Sequence, residues 1–260
     1  VRAFVDNGTV LDLNGGTLTL TATSTTKSVA DAKPLEDGGT GESLGLGASV
    51  AMNLVDNVTE AMVEAGATVS DGAAVSLAAT GDHELLTTAT MSASGGTAIT
   101  PVVAMTFTTN TTRANFDSGS TVTVTGNLDA EATQDVEITT EGQGDAEGSG
   151  SLAIGAMFAL ISASDVVTAQ AAGTLTTTVG NVNLKSRSRN KSKSDSKASA
   201  AGASDKGQTV DEQADAVLER QLGVLRAGEL VFERAAKAGQ AHVRELVQRG
   251  LHQHPSPPSV

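Results

Sequence analysis

The stretch that decides the fold is Val50-Ala51-Met52-Asn53-Leu54-Val55-Asp56-Asn57-Val58-Thr59-Glu60-Ala61. Its opening returns as Val103-Ala104-Met105-Thr106 and again as Phe158-Ala159-Leu160-Ile161, at offsets of 53 and 55 residues. Its second half returns at the same offsets, as Asn110-Thr111-Thr112-Arg113-Ala114 and, more loosely, as Asp165-Val166-Val167-Thr168-Ala169. Self-similarity at a fixed spacing is the mark of a repeat architecture, in which each copy is too small to bury its own face and stacks on its neighbours.

Working outward, each block is followed by a glycine turn and an alternating run: Gly66 before Val75-Ser76-Leu77-Ala78, Gly119 before Val122-Thr123-Val124-Thr125, and Gly173 before Leu175-Thr176-Thr177-Thr178-Val179. Residues 3–23, with Gly8 ahead of Thr17-Leu18-Thr19-Leu20-Thr21, fit the tail of an earlier unit. Gly-rich breaks separate the runs, at Gly38-Gly39-Thr40-Gly41, Gly95-Gly96 and Gly148-Ser149-Gly150. Period-two alternation rich in Thr and Val predicts strands with one buried face, and Gly, Asn and Asp supply turns that need positive φ. About three and a half units of about 55 residues result, read as an all-β chain, a β-solenoid or parallel β-helix with two coils per unit. A string of β-sandwich domains is the competing fold, but it needs about 100 residues per domain and a larger aromatic core.

Composition points the same way. The 260 residues include five Phe and no Cys, Trp or Tyr. A compact enzyme of this length buries large aromatic groups, whereas a narrow stacked interior takes small side chains layer after layer. Without Cys there are no disulfides, thiolate metal sites or Cys nucleophiles. No apolar run approaches 18 residues, and Val1 falls inside a repeat unit, so the missing Met and leader are read as truncation. Residues 1–184 hold 21 acidic residues against Arg2, Lys27, Lys33 and Arg113, a formal −17, while the remainder is +4. An acidic body of this kind repels nucleic acid and anionic lipid.

The blocks Gly45-Leu46-Gly47-Ala48-Ser49 running into Val50 to Ala61, and Gly66-Ala67-Thr68-Val69-Ser70-Asp71-Gly72, resemble the repeats of giant bacterial β-strand-repeat surface proteins. Filamentous-haemagglutinin-like and leukotoxin-like proteins and autotransporter passengers belong to this group. The likeness covers residues 1–184. It implies export to the outer cell surface or beyond, a long β-helical stalk, adhesive or structural use, and partners that are host or neighbouring-cell receptors, polysaccharide or further repeats of a longer chain.

After Asn183 no further repeat is legible. Residues 185–208 carry Lys185, Arg187, Arg189, Lys191, Lys193 and Lys197 among Ser, Asn and Ala, which predicts a disordered basic linker. The alternative is an arm that binds polyanions. From 209 to 250 the pattern changes: Thr209-Val210-Asp211-Glu212 is a capping box, and Ala214, Leu218, Leu222 and Leu225 form one helical stripe. Val231, Ala235, Val243, Leu246 and Val247 continue beyond Gly228, and residues 251–260 form a Pro-rich disordered tail. This helical segment either caps one end of the stack, associates as a hairpin, or is foreign to the repeats through a change of reading frame.

Candidate chemistry is sparse. Gly41-Glu42-Ser43-Leu44-Gly45 fits G-x-S-x-G, but no helix follows it and the only His in the repeats is His83. Asp82-His83-Glu84 cannot converge on one metal ion from a strand, where successive side chains alternate faces. His252 and His254, with His242, belong to the C-terminal region, where a frayed tail is the simpler reading. Asp6-Asn7-Gly8, Asp71-Gly72 and Asp117-Ser118-Gly119 offer oxygen ligands for Ca²⁺, yet ordinary turn chemistry explains them equally well. Asn57 and Asn110 begin N-x-T sequons, but their matching repeat positions suit stacked side chains in a coil corner. No catalytic, cofactor or metal residue is assigned. The expected function is a non-enzymatic structural or adhesive segment. A polysaccharide-active β-helix enzyme is the alternative, and an ice-binding module, suggested by the Thr rows at 17–23 and 121–125, ranks third.

Overall fold

The computed structural model describes residues 1–34 and 38–201, apart from the side chains of residues 150 and 151. These belong to a unit spanning Val1–Ala203; a second unit covers Ser204–Val260. Among the described residues there are strands and turns and no helix. In chain order the strands are β1 (Arg2–Val5), β2 (Val10–Asp12), β3 (Thr17–Ala32), β4 (Gly39–Leu46), β5 (Ser49–Val63) and β6 (Thr68–Gly72). They continue as β7 (Ala74–Phe116), β8 (Thr121–Val124), β9 (Leu128–Ala171), β10 (Thr174–Thr177) and β11 (Val182–Ala201). The large sheet runs β1-β5-β7-β9-β11, with β3 and β4 also on β7; the small sheet runs β10-β8-β6-β2. Every recorded strand pairing is parallel.

Register is where the repeat becomes physical. Val50 pairs with Val103 and Val103 with Phe158; Asn57 pairs with Asn110 and Asn110 with Asp165. These are the partners that the sequence offsets of 53 and 55 match. Paired residues throughout lie 52 to 58 positions apart, so one repeat contributes one layer to each sheet. The expected two coils per unit are therefore corrected to one, since two would pair residues about 27 apart. The alternating runs also align differently. Val75 pairs with Leu128, whereas Val122 pairs with Val69 and Leu175, because each post-glycine run is divided between a short strand of the small sheet and the start of the next long strand.

Within each layer the long strand doubles back. Residues 74–95 of β7 form an outgoing arm that pairs with β3 and the start of β4; residues 97–116 form a returning arm that pairs with the end of β4 and with β5. The inner faces of the two arms meet, as the 2.7 Å contact between the Thr87 and Thr106 hydroxyls shows. Glycine is required at the bend, where a Cβ on Gly95 would stand 2.4 Å from the Gly41 carbonyl oxygen. In β9 the bend is two residues longer: Gly95 pairs with Gly148, but Thr97 pairs with Leu152. That insertion turns the offset of 53 into 55.

The base of each layer closes through a β-turn and a short strand. Thr9, Ala67 and Ser120 donate their amides to the carbonyls of Asp6, Glu64 and Asp117. Gly8, Gly66 and Gly119 occupy the third turn position with φ of 72°, 76° and 86°, which a type II turn demands. The main apolar core sits at this base, around Val63, Val69, Leu77, Phe116, Val122 and Leu128. Farther along the arms the core thins to Ala51, Ala89, Val102 and Ala104, and near the bend to Ala93, Ala98, Ala146 and Ala153. Small side chains fit because the arms lie close together, and one buried Phe suffices where the section is widest.

Residues 185–201 are corrected from linker to strand. All twenty residues of β11 pair with β9, from Val182 on Leu128 to Ala201 on Glu147. The expected disorder of 202–208, the helix at 209–250 and the tail at 251–260 lie outside the described residues.

Candidate functional site

A polar seam runs through the buried space between the arms. Thr26 donates to Asn57 Oδ1 (3.1 Å), Asn57 Nδ2 to Asn110 Oδ1 (2.8 Å), and Asn110 Nδ2 to Asp165 Oδ1 (2.8 Å). Gln134 Nε2 also donates to Asp165 Oδ1 (3.2 Å), and Asn190 donates to Asp165 Oδ2. The matching amides do stack layer on layer, within the returning arm and not at a corner. Asn110 is fully buried and Asn57 nearly so, so neither sequon presents its side chain to solvent. A second column links the hydroxyls of Thr87, Thr106 and Thr140 at 2.7 and 2.6 Å. Buried polar groups need partners, and these find them both one layer along, as Asn57 with Asn110, and across the gap between the arms, as Thr87 with Thr106.

Among the described residues four buried side chains depart from this, Thr59, Thr100, Asn115 and His83, and His83 is the largest of them. It is 1% exposed, and neither ring nitrogen reaches a hydrogen-bond partner of good geometry. Its ring edge and the Thr112 hydroxyl fill the space a Cβ on Gly81 would take, 2.8 and 2.9 Å from that position. Burial pushes the imidazole pKa below its ordinary value, while the charges of Asp82 and Asp165 pull it back upward.

Outside, the two arms differ in kind. The outgoing arm presents Thr17, Thr19, Thr21 and Thr23 from β3, then Asp82 and Glu84 from β7, then the carboxylates of β9. The basic residues of β11 lie over those carboxylates: Lys185 on Glu131 (2.9 Å), Lys191 on Glu137 (2.6 Å), Arg189 on Asp135 and Lys193 on Glu141. The basic run is thus a strand that neutralises the acidic layer beneath it.

The returning arm carries the opposite pattern. Val50, Val103 and Phe158 share one outward row, and Met52, Met105 and Leu160 the next. Leu46, Ile99 and Ile154 flank these rows toward the bend, and Leu54 with Phe107 toward the base. Val50 is 64% exposed, Leu54 66%, Met52 51% and Phe158 52%. Sequence reasoning missed this panel. Its signal was present, since Asn53 shares parity with Ala51 and therefore places the larger apolar set on the other face.

The motif candidates are not brought together. Ser43 is exposed in an irregularity at the bend, where Glu42 and Ser43 stand opposite Gly96 and strand precedes and follows. His83 is buried along the arm between Thr26 and Val136. Asp82 and Glu84 point outward and His83 inward, as alternation requires. Among the described residues no three His, Cys, Asp or Glu side chains are placed to hold a metal ion. The acidic turn residues Asp6, Glu64 and Asp117 hold equivalent turn positions, and burial beside Glu64 and Glu60 raises the Asp117 pKa. Asp71 adopts φ 53° and accepts the Gly15 amide through its carbonyl. A recess near the bend of β9 is lined by Ser94, Glu147 and Ser149, with one carboxylate. The two Thr rows belong to different sheets, 17–23 to the large one and 121–124 to the small one. His242, His252 and His254 lie outside the described residues. Among the described residues no helix is long and apolar enough to cross a membrane. No family model, curated protein or solved structure matches the chain.

Proposed function

We propose that the parallel layers are the rungs of a β-solenoid and that the protein is a structural or adhesive segment of a large secreted bacterial surface protein. The observation that carries this reading is the register: every recorded pairing joins residues one repeat apart. Stacking of that kind extends by adding layers, which suits a stalk. The resemblance to β-strand-repeat surface proteins supports an extracellular or outer-surface setting and a partner such as a cell-surface receptor, a polysaccharide or adjoining repeats. The reading assigns no catalysis. A polysaccharide-active solenoid needs convergent carboxylates in a cleft, and the recess by Glu147 offers one.

The test immobilises the full chain and measures retention of whole cells and of a polysaccharide panel, alongside release of reducing ends. Retention without cleavage supports the proposal. Release of reducing ends that depends on Glu147 replaces it with the enzymatic reading.

A further inference from the structure

We propose that the apolar outer face of the returning arms is a self-association surface, and that its occupant is the same face of a second copy of this chain. Three neighbouring strands, β5, β7 and β9, set large apolar side chains in register on this face, centred on Val103 and Met105. Six of the panel's residues, including Leu46, Val50 and Phe158, are 42–66% exposed, and Ile99, Val103, Met105, Phe107 and Leu160 are half-buried among them. At roughly 100 Å² bare for each of the six, with a smaller share from the five half-buried ones, they offer on the order of 700 Å², close to one partner's share of a standard stable interface and above the largest patch of an ordinary monomer.

Charge selects the occupant. Two chains that each carry a formal −13 repel one another wherever their unpaired carboxylates meet. The rows from Leu46 to Leu54 and their partners on β7 and β9 contain no ionisable group, so on this face two copies can approach without like-charge contact. A lipid surface is the poorer fit, because interfacial binding draws on Lys, Arg and Trp around the apolar face. Here there is no Trp, and toward the base the panel gives way to Asp56 and to Glu60, whose carboxylate takes up Arg2 and Arg113 in ion pairs. The geometry is also right for a copy: sheets pack face to face at about 10 Å with interdigitating side chains, and a two-fold axis through the panel makes the contact self-complementary. Layers added before or after these would stack on the sheet edges and leave the face open.

The full 260-residue chain is expected to sediment as a dimer at about 10 μM, with Met105→Lys and Val50→Glu each weakening association at least a hundredfold. Thr80→Lys, on the exposed outer side of the outgoing arm, is expected to leave it unchanged. A second readout does not depend on those variants folding, because the chain has no Cys. A single Met105→Cys substitution should cross-link two copies through a bismaleimide spanning about 10 Å, and Thr80→Cys should not. The proposal is overturned by a wild-type monomer at about 100 μM, by dimers that persist in both panel variants, or by cross-linking through position 80 and not 105. Flotation of a monomeric chain with phosphatidylcholine vesicles, lost on Met105→Lys, overturns it in favour of a lipid surface.

Discussion

Replacing Asn110 with Leu tests whether the stacked amides hold the layers together. Asn110 accepts from Asn57 Nδ2 and Thr108 Oγ1 and donates to Asp165 Oδ1. Leu keeps the branching at Cγ but is bulkier, and it leaves the Asn57 amide without its acceptor in a buried setting, which by itself costs about 1–3 kcal/mol. Asp165 loses one donor but keeps Gln134, so its loss is the smaller part, about 1 kcal/mol. The Thr108 hydroxyl can rotate, and its contribution is minor. The total is about 2–4 kcal/mol. For a urea slope of about 2 kcal/mol/M the midpoint falls by about 1–2 M with an unchanged slope. Urea titration of the full chain by far-ultraviolet circular dichroism reads this directly. Thr108→Val serves as the control and should cost less than about 1 kcal/mol. The ladder also requires that Asn57→Leu and Asn110→Leu together cost less than their sum by at least about 0.5 kcal/mol. A loss under about 0.5 kcal/mol for Asn110→Leu, or strict additivity, would refute the account of the seam.

Other outcomes follow from the same structure. His83 has a depressed folded pKa, so below about pH 6.5 the unfolded chain takes up a proton that the fold resists, and stability falls by up to about 1.4 kcal/mol per pH unit. Asp82 and Asp165 moderate that slope, and urea midpoints at pH 7.5 and 5 should converge for His83→Gln relative to wild type. Asp117 has a raised folded pKa, so its charge opposes folding near neutrality. Asp117→Asn is therefore expected to raise the thermal midpoint at pH 7, with the gain absent at pH 3, where both states are protonated. Because the β11 ion pairs are exposed, each contributes little to stability and is screened by salt. Hydrogen exchange in about 1 M NaCl should accelerate in residues 182–201 more than in β7, and equal acceleration would show that charge does not hold β11 in place.

Much of this architecture could be read from the residues alone. The match of Val50-Ala51-Met52-Asn53 to its later copies contained the register, because parallel layers place equivalent residues side by side. Turn chemistry at Gly8, Gly66 and Gly119 was legible for the same local reason, since only a residue at ease with positive φ serves there. The basic run 185–201 was misread because its alternation of charge with Ser, Asn and Ala resembles a solvated linker. Its strand state depends on carboxylates of β9 about 54 residues earlier, a partnership no local window contains.

What the sequence determined by itself is the repeat, its spacing and its strand character, all set by local propensity and by copies that must stack in step. Which side of each strand faces inward was left to the tertiary structure. A period-two pattern has two solutions, and hydrophobicity alone would have buried Val50, Met52 and Leu54. Close approach of the arms admits Ala51 and Asn53 instead, Ser28 on the facing arm satisfies Asn53 while Asn110 in the next layer satisfies Asn57, and the larger apolar side chains are turned to the outer face.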